Sequence, residues 1–367
     1  MTNRMMSGAL ALTSLAAALL LIPAASPAAT VANGDFEAGS LSGWQVSNST
    51  DRGNWFAYTG DKPPIEKEEE EGEEIEIIEV IEPIVPAAKP LLTPVFPPFF
   101  LPPQGSWAAV TDESRPDTAI LYQDIALEPH WTHKLTMTFY YHSFAPIKVP
   151  SPDTLALPGP HIIIIGEEPE PTQQQVRVDV MKPTAPIESV NPSDILTTLF
   201  ASKDGDPETM APTQLSADLT PFAGQTVRLR IANAVNDSRF NAAVDAVSIT
   251  STPPNNVFKR GKLKLNKSNG TGTLTVTVPG AGVLTLTDAA ATKKATASKR
   301  KAKLVKPATV KPTAAGTVKV ALKPTAAGKK ILRKKGKLKI KASLGFTPTG
   351  GLTSSQGFKG TLKLNQK

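Results

Sequence analysis

Apolar side chains recur at every second position in many short segments of this chain, and this period of two constrains its fold more than any other feature. Within residues 134–141 the alternate positions are all apolar: Leu135, Met137, Phe139 and Tyr141. A period of two is typical of a β-strand that buries one face. Because the front half shows no comparable amphipathic helix, we expect an all-β protein built from antiparallel sheets.

The same alternation marks further predicted strands. In the front half they cover residues 106–111, 119–127, 176–180, 195–200, 227–231 and 244–250. In the tail they cover residues 262–265, 274–278 and 337–341. Residues 279–282 read Pro-Gly-Ala-Gly, which predicts a hairpin connection, and the lysine-rich residues 326–335 are predicted to form a short basic helix.

Charge divides the chain into two parts. The net charge is +7, yet residues 256–367 hold 26 of the 40 basic residues and only one acidic residue, Asp288. The change falls at residues 253–257, where two prolines and two asparagines predict a linker. We therefore predict a front domain over residues 30–252 and a Lys-rich domain over residues 258–367.

The N-terminal segment has the features of an export signal. Arg4 precedes an apolar run over residues 9–22, and small residues follow at Ser26 and Ala28. The run is shorter than the roughly 20 residues that cross a bilayer, so residues 1–28 are predicted to be a signal peptide. An uncleaved membrane anchor is the alternative. We expect a secreted or cell-surface protein whose mature chain has no transmembrane segment.

Cysteine is absent, and two proline-rich stretches interrupt the strands of the front domain, at residues 62–103 and 145–172. Without cysteine the chain has no disulfide, thiolate nucleophile or cysteine-ligated metal. Proline withholds a backbone donor from a sheet, and clustered glutamates repel one another. Both stretches are therefore predicted to be long surface insertions.

Two motifs carry a resemblance to a known family. Residues 33–37 read Asn-Gly-Asp-Phe-Glu and are followed by Trp44, while residues 222–230 and 241–249 form the matching close. Over residues 31–251 the chain resembles the galactose-binding-like jelly-roll domains, including family 4/9-type carbohydrate-binding modules. The resemblance implies an antiparallel jelly-roll β-sandwich. The tail resembles the basic Ig-like domains of exported actinobacterial-type proteins, which implies a second, smaller Ig-like β-sandwich.

The jelly-roll resemblance also implies a structural calcium ion between the first and last strands. Carried onto this sequence, its side-chain ligands would be Glu37 and Asp245, with Asp35 less favoured. Calcium prefers oxygen ligands of this kind. The alternative is that these acids cap turns or face solvent.

Aromatic residues supply the candidate glycan contacts. Trp55 and Tyr58 are the predicted ligand-binding residues, because a flat ring can stack on a sugar face. Most aromatic residues of a sandwich lie in its core, which is the alternative for both.

Lysine alternation in the tail predicts a cationic stripe along one sheet face, attractive to polyanions. Its predicted members are Lys262, Lys264, Lys337, Lys339 and Lys341. Arginine and aromatic residues are few in the tail, which disfavours specific recognition of nucleic acid. The expected partners are anionic envelope polymers, glycans or the chain's own acidic segment at residues 66–82. A merely soluble charged surface is the alternative.

Catalytic motifs are weak. His130 and His133 are three apart in an extended segment, so they face opposite ways, and no helix or glutamate of a zinc protease accompanies them. The Gly-x-Ser-x-Gly match at residues 39–43 lacks a strand–turn–helix context. We therefore expect a non-catalytic binding or adhesion protein. The alternatives are a structural envelope or matrix protein without a discrete ligand and, more weakly, a glycan-active hydrolase.

Overall fold

The computed structural model confirms the all-β class. The residues that it describes are 28–50, 53–60, 101–112, 116–156, 172–289 and 302–365. Strands dominate these ranges. The predicted signal peptide, except its last residue, and most of the two predicted insertions lie outside the described residues.

The front sandwich consists of two five-stranded antiparallel sheets. Sheet I has the order β1 (Gln45–Asn48), β4 (Asp117–Ala126), β9 (Thr226–Val235), β6 (Gln174–Met181) and β7 (Ile195–Ala201). Sheet II has the order β2 (Trp55–Tyr58), β3 (Ala108–Thr111), β10 (Phe240–Thr252), β5 (Thr132–Ser143) and β8 (Thr209–Asp218). A short 3-10 helix, Thr220–Phe222, precedes β9.

The core of the front sandwich lies between sheets I and II and follows the period of two. The alternate residues of β5, from Leu135 to Tyr141, are all buried there, as predicted. Tyr140, between them, belongs instead to a separate cluster with Tyr58 on the opposite face of sheet II. Because neighbouring residues of a strand point to opposite faces, one tyrosine of the pair enters the core and the other leaves it.

A buried ion network lies on the outer face of sheet I. Asp179 accepts hydrogen bonds from Arg177 and Arg230, and both Asp179 and Arg230 are fully buried. Arg230 also donates to the backbone carbonyls of Ile187 and Ser189, which holds this loop against the sheet. Burial alone would raise the pKa of Asp179, but the hydrogen bonds and charges of the two arginines hold it below its usual value.

Asp179→Asn is expected to destabilise the front sandwich by about 3–5 kcal/mol, because it leaves the buried Arg230 without its counter-charge. The measurement is the free energy of unfolding from urea titration. The matched control is Asp124→Asn, which breaks the more exposed pair with Arg228 and should cost about 1 kcal/mol or less. Equal losses in the two variants would contradict this account of the network.

The tail sandwich is smaller. Sheet III has the order β11 (Lys259–Asn266), β12 (Thr271–Val278) and β15 (Gly316–Leu322). Sheet IV has the order β14 (Ala308–Val310), β13 (Gly282–Asp288), β16 (Lys337–Pro348) and β17 (Ser354–Lys363). Apolar residues of both sheets, including Leu274 and Leu338, pack in one core between them.

The predicted basic helix is confirmed as α1 (Ala326–Lys335). The side chain of Thr325 accepts a hydrogen bond from the backbone N–H of Gly328 and so caps its first turn. Gly336, at a φ of 61°, ends the helix in the left-handed conformation that glycine favours.

The predicted hairpin at residues 279–282 is wrong. β12 pairs with β11 and β15, whereas β13 pairs with β14 and β16. The connection therefore carries the chain from sheet III to sheet IV. β12 and β13 lie on opposite sides of the same core, and each packs its apolar face against it.

The two sandwiches touch at a polar contact. The indole N–H of Trp131, beside β5, donates to the carbonyl of Gly350 at 2.7 Å, and Gly350 lies in the turn between β16 and β17. Asn256 donates to the carbonyl of Leu352 at 2.9 Å, which fixes the segment after β10 to the same turn. No helix in the described ranges has the length and apolar character needed to cross a bilayer.

Candidate functional site

The N-terminal turn is anchored by a buried ring. Phe36 is fully buried in the front core, and its ring lies 5.5 Å from that of Trp44. Phe36 has a φ of 54°, a conformation that a bulky residue adopts only when its surroundings hold it there. The anchored ring leaves its neighbours Asp35 and Glu37 exposed.

Glu37 caps a neighbouring segment. Its Oε1 accepts the backbone N–H of Ser106 at 2.7 Å and that of Trp107 at 3.0 Å. These two residues directly precede β3. Glu37 therefore joins the N-terminal turn to the entrance of sheet II, which is the turn-capping role named above as the alternative to calcium binding.

Asp245 lies on β10 at a β-bulge and is fully buried. Its carboxylate accepts the backbone N–H groups of Gln104 and Ala246. At the same bulge the N–H of Val247 donates to the carbonyl of Gly34 at 2.7 Å. A Cβ at Gly34 would lie 2.0 Å from the carbonyl oxygen of Val247, so only glycine permits this approach.

These contacts bring the N-terminal turn, with Asp35 and Glu37, close enough to Asp245 of β10 for their charges to interact, and we call these three residues the acidic cluster. Beside the cluster lies an open cleft of about 420 Å³. Its lining is mostly polar and backbone-rich: Val31, Asn33, Gly34, Asp35, Gln104, Ala246, Val247 and Ser248.

The charged neighbours of Asp245 are carboxylates, whereas those of Asp179 are arginines. Burial raises the pKa of Asp245 to about 6, the backbone hydrogen bonds from Ala246 and Gln104 oppose this rise, and the charges of Glu37 and Asp35 add to it. Asp245 is therefore an acid that folding places among other acids and away from water.

The donor chemistry of the acidic cluster suits calcium only in part. Carboxylate oxygens are the ligands that Ca²⁺ prefers, in sets of six to eight. However, the described residues contain no group of three or more His, Cys, Asp or Glu side chains that could hold a metal ion. Oxygens of Glu37 and Asp245 are also engaged by backbone N–H groups. Backbone carbonyls and water would have to complete a calcium site here.

The two residues predicted to contact a glycan are both buried. Trp55 is 2% exposed and lies in the core between the sheets, so it offers no face to a sugar, and the structure gives it a packing role. Tyr58 lies on the outer face of sheet II beside Phe56 and Tyr140, but it is only 8% exposed. Since Trp55 and Tyr58 are three apart on one strand, they face opposite ways.

The predicted single lysine stripe is also corrected. Lys262 and Lys264 lie on β11 of sheet III, whereas Lys337, Lys339 and Lys341 lie on β16 of sheet IV. All are exposed, while the residues between them on each strand pack against the shared core. The lysines therefore cover two opposite outer faces of the tail sandwich, because each sheet turns its polar side away from that core.

Two further lysines were missed by sequence reasoning. Lys359 and Lys363 are exposed on β17, directly opposite Lys341 and Lys337 of β16. The β17 sequence contains two glycines, Gly357 and Gly360, and only two apolar side chains, Phe358 and Leu362, so its alternation is weak. The even spacing of Lys359 and Lys363, which puts both on the same face of a strand, is the sequence signal that could have identified them.

The chain matches no protein-family model and no curated protein. It is similar to the adhesin domain of Epf from Streptococcus pyogenes, at 14% identity, 71% coverage of this chain, 78% of that chain and a TM-score of 0.25. It is similar to the glycoside hydrolase domain of Endo-D from Streptococcus pneumoniae R6, at 12% identity, 71% and 34% coverage and a TM-score of 0.19. The chain thus spans about a third of the Endo-D structure. A cyclase from Fischerella sp. TAU follows at 19% identity, 42% and 68% coverage and a TM-score of 0.22. Similarities this weak assign no activity, so the function rests on the chain's own residues.

Relief of repulsion in the acidic cluster is expected to change the pH dependence of stability. The pKa of Asp245 is about 6 in the folded protein and about 4 when unfolded, so its contribution to stability falls as pH rises from about 4 to about 6. Asp35→Asn keeps the side-chain oxygen but removes one neighbouring charge. The loss of stability over this pH range should then shrink by less than about 0.5 kcal/mol, because Asp35 raises the pKa of Asp245 less than burial and Glu37 do.

The measurement is urea unfolding between pH 4 and 7 in the presence of a chelator. Glu188→Gln is the control, since it removes an exposed acid over the outer face of sheet I, away from the acidic cluster. If Asp35→Asn and Glu188→Gln gave the same profile, the three acids would not be coupled.

Proposed function

We propose that this chain is an exported, non-catalytic binding or adhesion protein in which the front sandwich takes a glycan or surface ligand and the tail sandwich retains the protein on anionic envelope polymers. One observation carries the proposal: exposed lysines cover both outer faces of the tail sandwich. The one acidic residue of the tail, Asp288, is 6% exposed and binds the backbone N–H groups of Leu304 and Val305. The positive surface is therefore left for an external partner.

The ligand of the front sandwich is proposed to bind in the cleft beside the acidic cluster. Asn33, Gln104 and Ser248 are the uncharged polar residues that line this cleft. The side chain of Asn33 bonds Ser40 and Ala38 within its own turn and Ser248 bonds Thr136, so exposed Gln104 has the side chain best placed to meet a ligand. Amide and hydroxyl groups of this kind donate to and accept from sugar hydroxyls. The buried positions of Trp55 and Tyr58 favour this cleft over the ring-stacking surface predicted from sequence.

Calcium is proposed as the structural ion of the acidic cluster, with Glu37 and Asp245 as side-chain ligands and Asp35 as the less favoured third. What supports it is the raised pKa of Asp245 beside the charges of Glu37 and Asp35 on the N-terminal turn, without an arginine or lysine among the described contacts of Asp245 and Glu37. The bound ion would supply the positive charge that Arg177 and Arg230 supply to Asp179.

A structural envelope or matrix protein without a discrete ligand is the rival proposal, because the tail's charge alone would attach such a protein to an anionic matrix. A glycan screen of the mature chain separates the two. Saturable binding to one glycan, weakened by Gln104→Ala in the cleft, supports a ligand-binding module, and uniform weak binding supports the matrix role. Hydrolytic turnover of any glycan would revive the weaker hydrolase alternative.

Retention on anionic polymer is expected to depend steeply on salt. The mature chain, residues 29–367, should bind negatively charged cell-wall polymer with an affinity that falls by at least tenfold between 50 and 200 mM salt, because counterions are released on binding. A neutral polysaccharide of similar length is the control. Retention that is indifferent to salt, or equal on both polymers, would contradict the proposal.

Calcium is expected to raise the thermal midpoint of the mature chain. At a concentration 100 times the Kd, the ion adds about 2.7 kcal/mol, which corresponds to roughly 5–10 °C for a domain of this size. Glu37→Gln should reduce this rise relative to the wild type, while Glu188→Gln should retain it. An identical melting curve in calcium and in chelator would end the calcium proposal and leave the glycan and lysine proposals intact.

A further inference from the structure

The outer face of β16 and β17 presents a regular ladder of lysines. Lys337, Lys339 and Lys341 point outward from β16, because the intervening Leu338 and Ile340 are buried in the core. On β17, Lys359 and Lys363 are likewise exposed. We call this set, Lys337, Lys339, Lys341, Lys359 and Lys363, the lysine ladder.

The pairing register sets like charges directly against one another. Lys337 is the cross-strand partner of Lys363, and Lys341 is the partner of Lys359, while Lys339 lies opposite Thr361. Like charges in opposed positions of an antiparallel pair destabilise a sheet. The neighbouring β13 pairs with β16 only over residues 342–348, and its one acid, Asp288, is buried on the core side opposite Ala342, so β13 sets no acidic side chain on the outer face. The chain thus maintains an arrangement that weakens its own sheet and that a negative partner would relieve.

The opposite outer face lacks this arrangement. On sheet III, Lys264 lies opposite Thr273, and Lys319 of β15 lies opposite Thr275. The exposed lysines there are separated by the threonines of the central strand β12. Both faces belong to the same sandwich and carry lysines, but only the face of sheet IV sets lysines in directly opposed pairs within the described strands.

The spacing of the lysine ladder is that of a linear track. Alternate residues of a strand are about 6.7 Å apart, and neighbouring strands are about 4.8 Å apart. The ladder therefore forms two adjacent rows of cations that run along the strands. At its Lys337 end the positive charge continues into the last turn of α1, which contains Arg333, Lys334 and Lys335.

From this geometry we infer that the lysine ladder binds a linear polyanion that lies along β16 and β17, with anionic groups repeating at about 7 Å. The inference rests on the proposed retention function and assigns it to one face. Lysine acts as a point charge rather than a bidentate fork, so the ladder selects charge spacing rather than the shape of the anionic group.

The described part of the tail has no exposed aromatic ring on which a nucleic acid base could stack. The three phenylalanines of the tail, Phe258, Phe346 and Phe358, are all buried in its core. Binding to single-stranded nucleic acid generally combines a basic groove with exposed rings on which bases stack. The partner chemistry is therefore that of an anionic polymer without bases, such as a phosphodiester or polycarboxylate chain.

The test compares two triple variants of the mature chain. The first, Lys337→Gln with Lys341→Gln and Lys359→Gln, removes three charges from the lysine ladder. The second, Lys262→Gln with Lys264→Gln and Lys319→Gln, removes three from the outer face of sheet III and leaves the same net charge. The probes are inorganic polyphosphate and poly-glutamate of defined length, with single-stranded DNA and an abasic strand of the same length as a third arm, each titrated at several salt concentrations.

The ladder variant is expected to lose at least tenfold in affinity for polyphosphate, and the slope of log affinity against log salt should fall by about 2–3. The sheet III variant should lose less than threefold. Equal losses would overturn the inference while leaving the proposed electrostatic retention in place. Failure of the wild type to bind either polymer would overturn both. Tighter binding to single-stranded DNA than to an abasic strand of the same length, which keeps the phosphate spacing, would show that bases are recognised and would also overturn the inference.

A second readout needs no ligand. Because the opposed lysine pairs repel each other, the ladder variant should melt at a higher temperature than the wild type in low salt, and the sheet III variant should show a smaller rise. A ladder variant that melts lower than the wild type would contradict the repulsion on which the inference depends.

Discussion

Burial of one face of every sheet is the constraint on which this protein depends. With no cysteine in the chain, each sandwich is held by apolar side chains packed between two sheets. At about 25 cal/mol for each Å² of apolar surface removed from water, this burial is the main favourable term in folding. It also dictates where charge can go. Arg177, Asp179 and the exposed lysines all lie on faces that turn away from a core.

Folding treats buried charge in two different ways in the front sandwich. Asp179 has two arginines within hydrogen-bonding distance, and its pKa is lowered in spite of its burial. Asp245 is equally buried, but its charged neighbours are Glu37 and Asp35, and its pKa is raised. The charge of Asp179 is balanced within the chain, whereas Asp245 is stabilised by binding a proton, since its pKa is raised in the folded protein.

The sequence predicted local structure well where one strand carried strong alternation. β5, β6 and β9 and their inward residues follow directly from the period of two, and α1 from its composition. β8 was missed because it is an edge strand whose residues are largely exposed, so burial imposes little pattern on it. The sheet to which a strand belongs is a matter of long-range pairing, which alternation does not encode. For that reason Lys262 and Lys337 were assigned to one face, and the arginine partners of Asp179 were not identified.

The hydrogen bond between Trp131 and Gly350 connects the front sandwich to the tail sandwich. A hydrogen bond from an indole to a backbone carbonyl at the turn of β16 and β17 restrains rotation of one sandwich against the other. Gly350 lies in the turn that joins β16 and β17, the two strands of the lysine ladder. Under the proposed function, a polymer lying on those strands would therefore set the direction in which the front cleft points, because the two sandwiches would be oriented together rather than joined by a flexible linker.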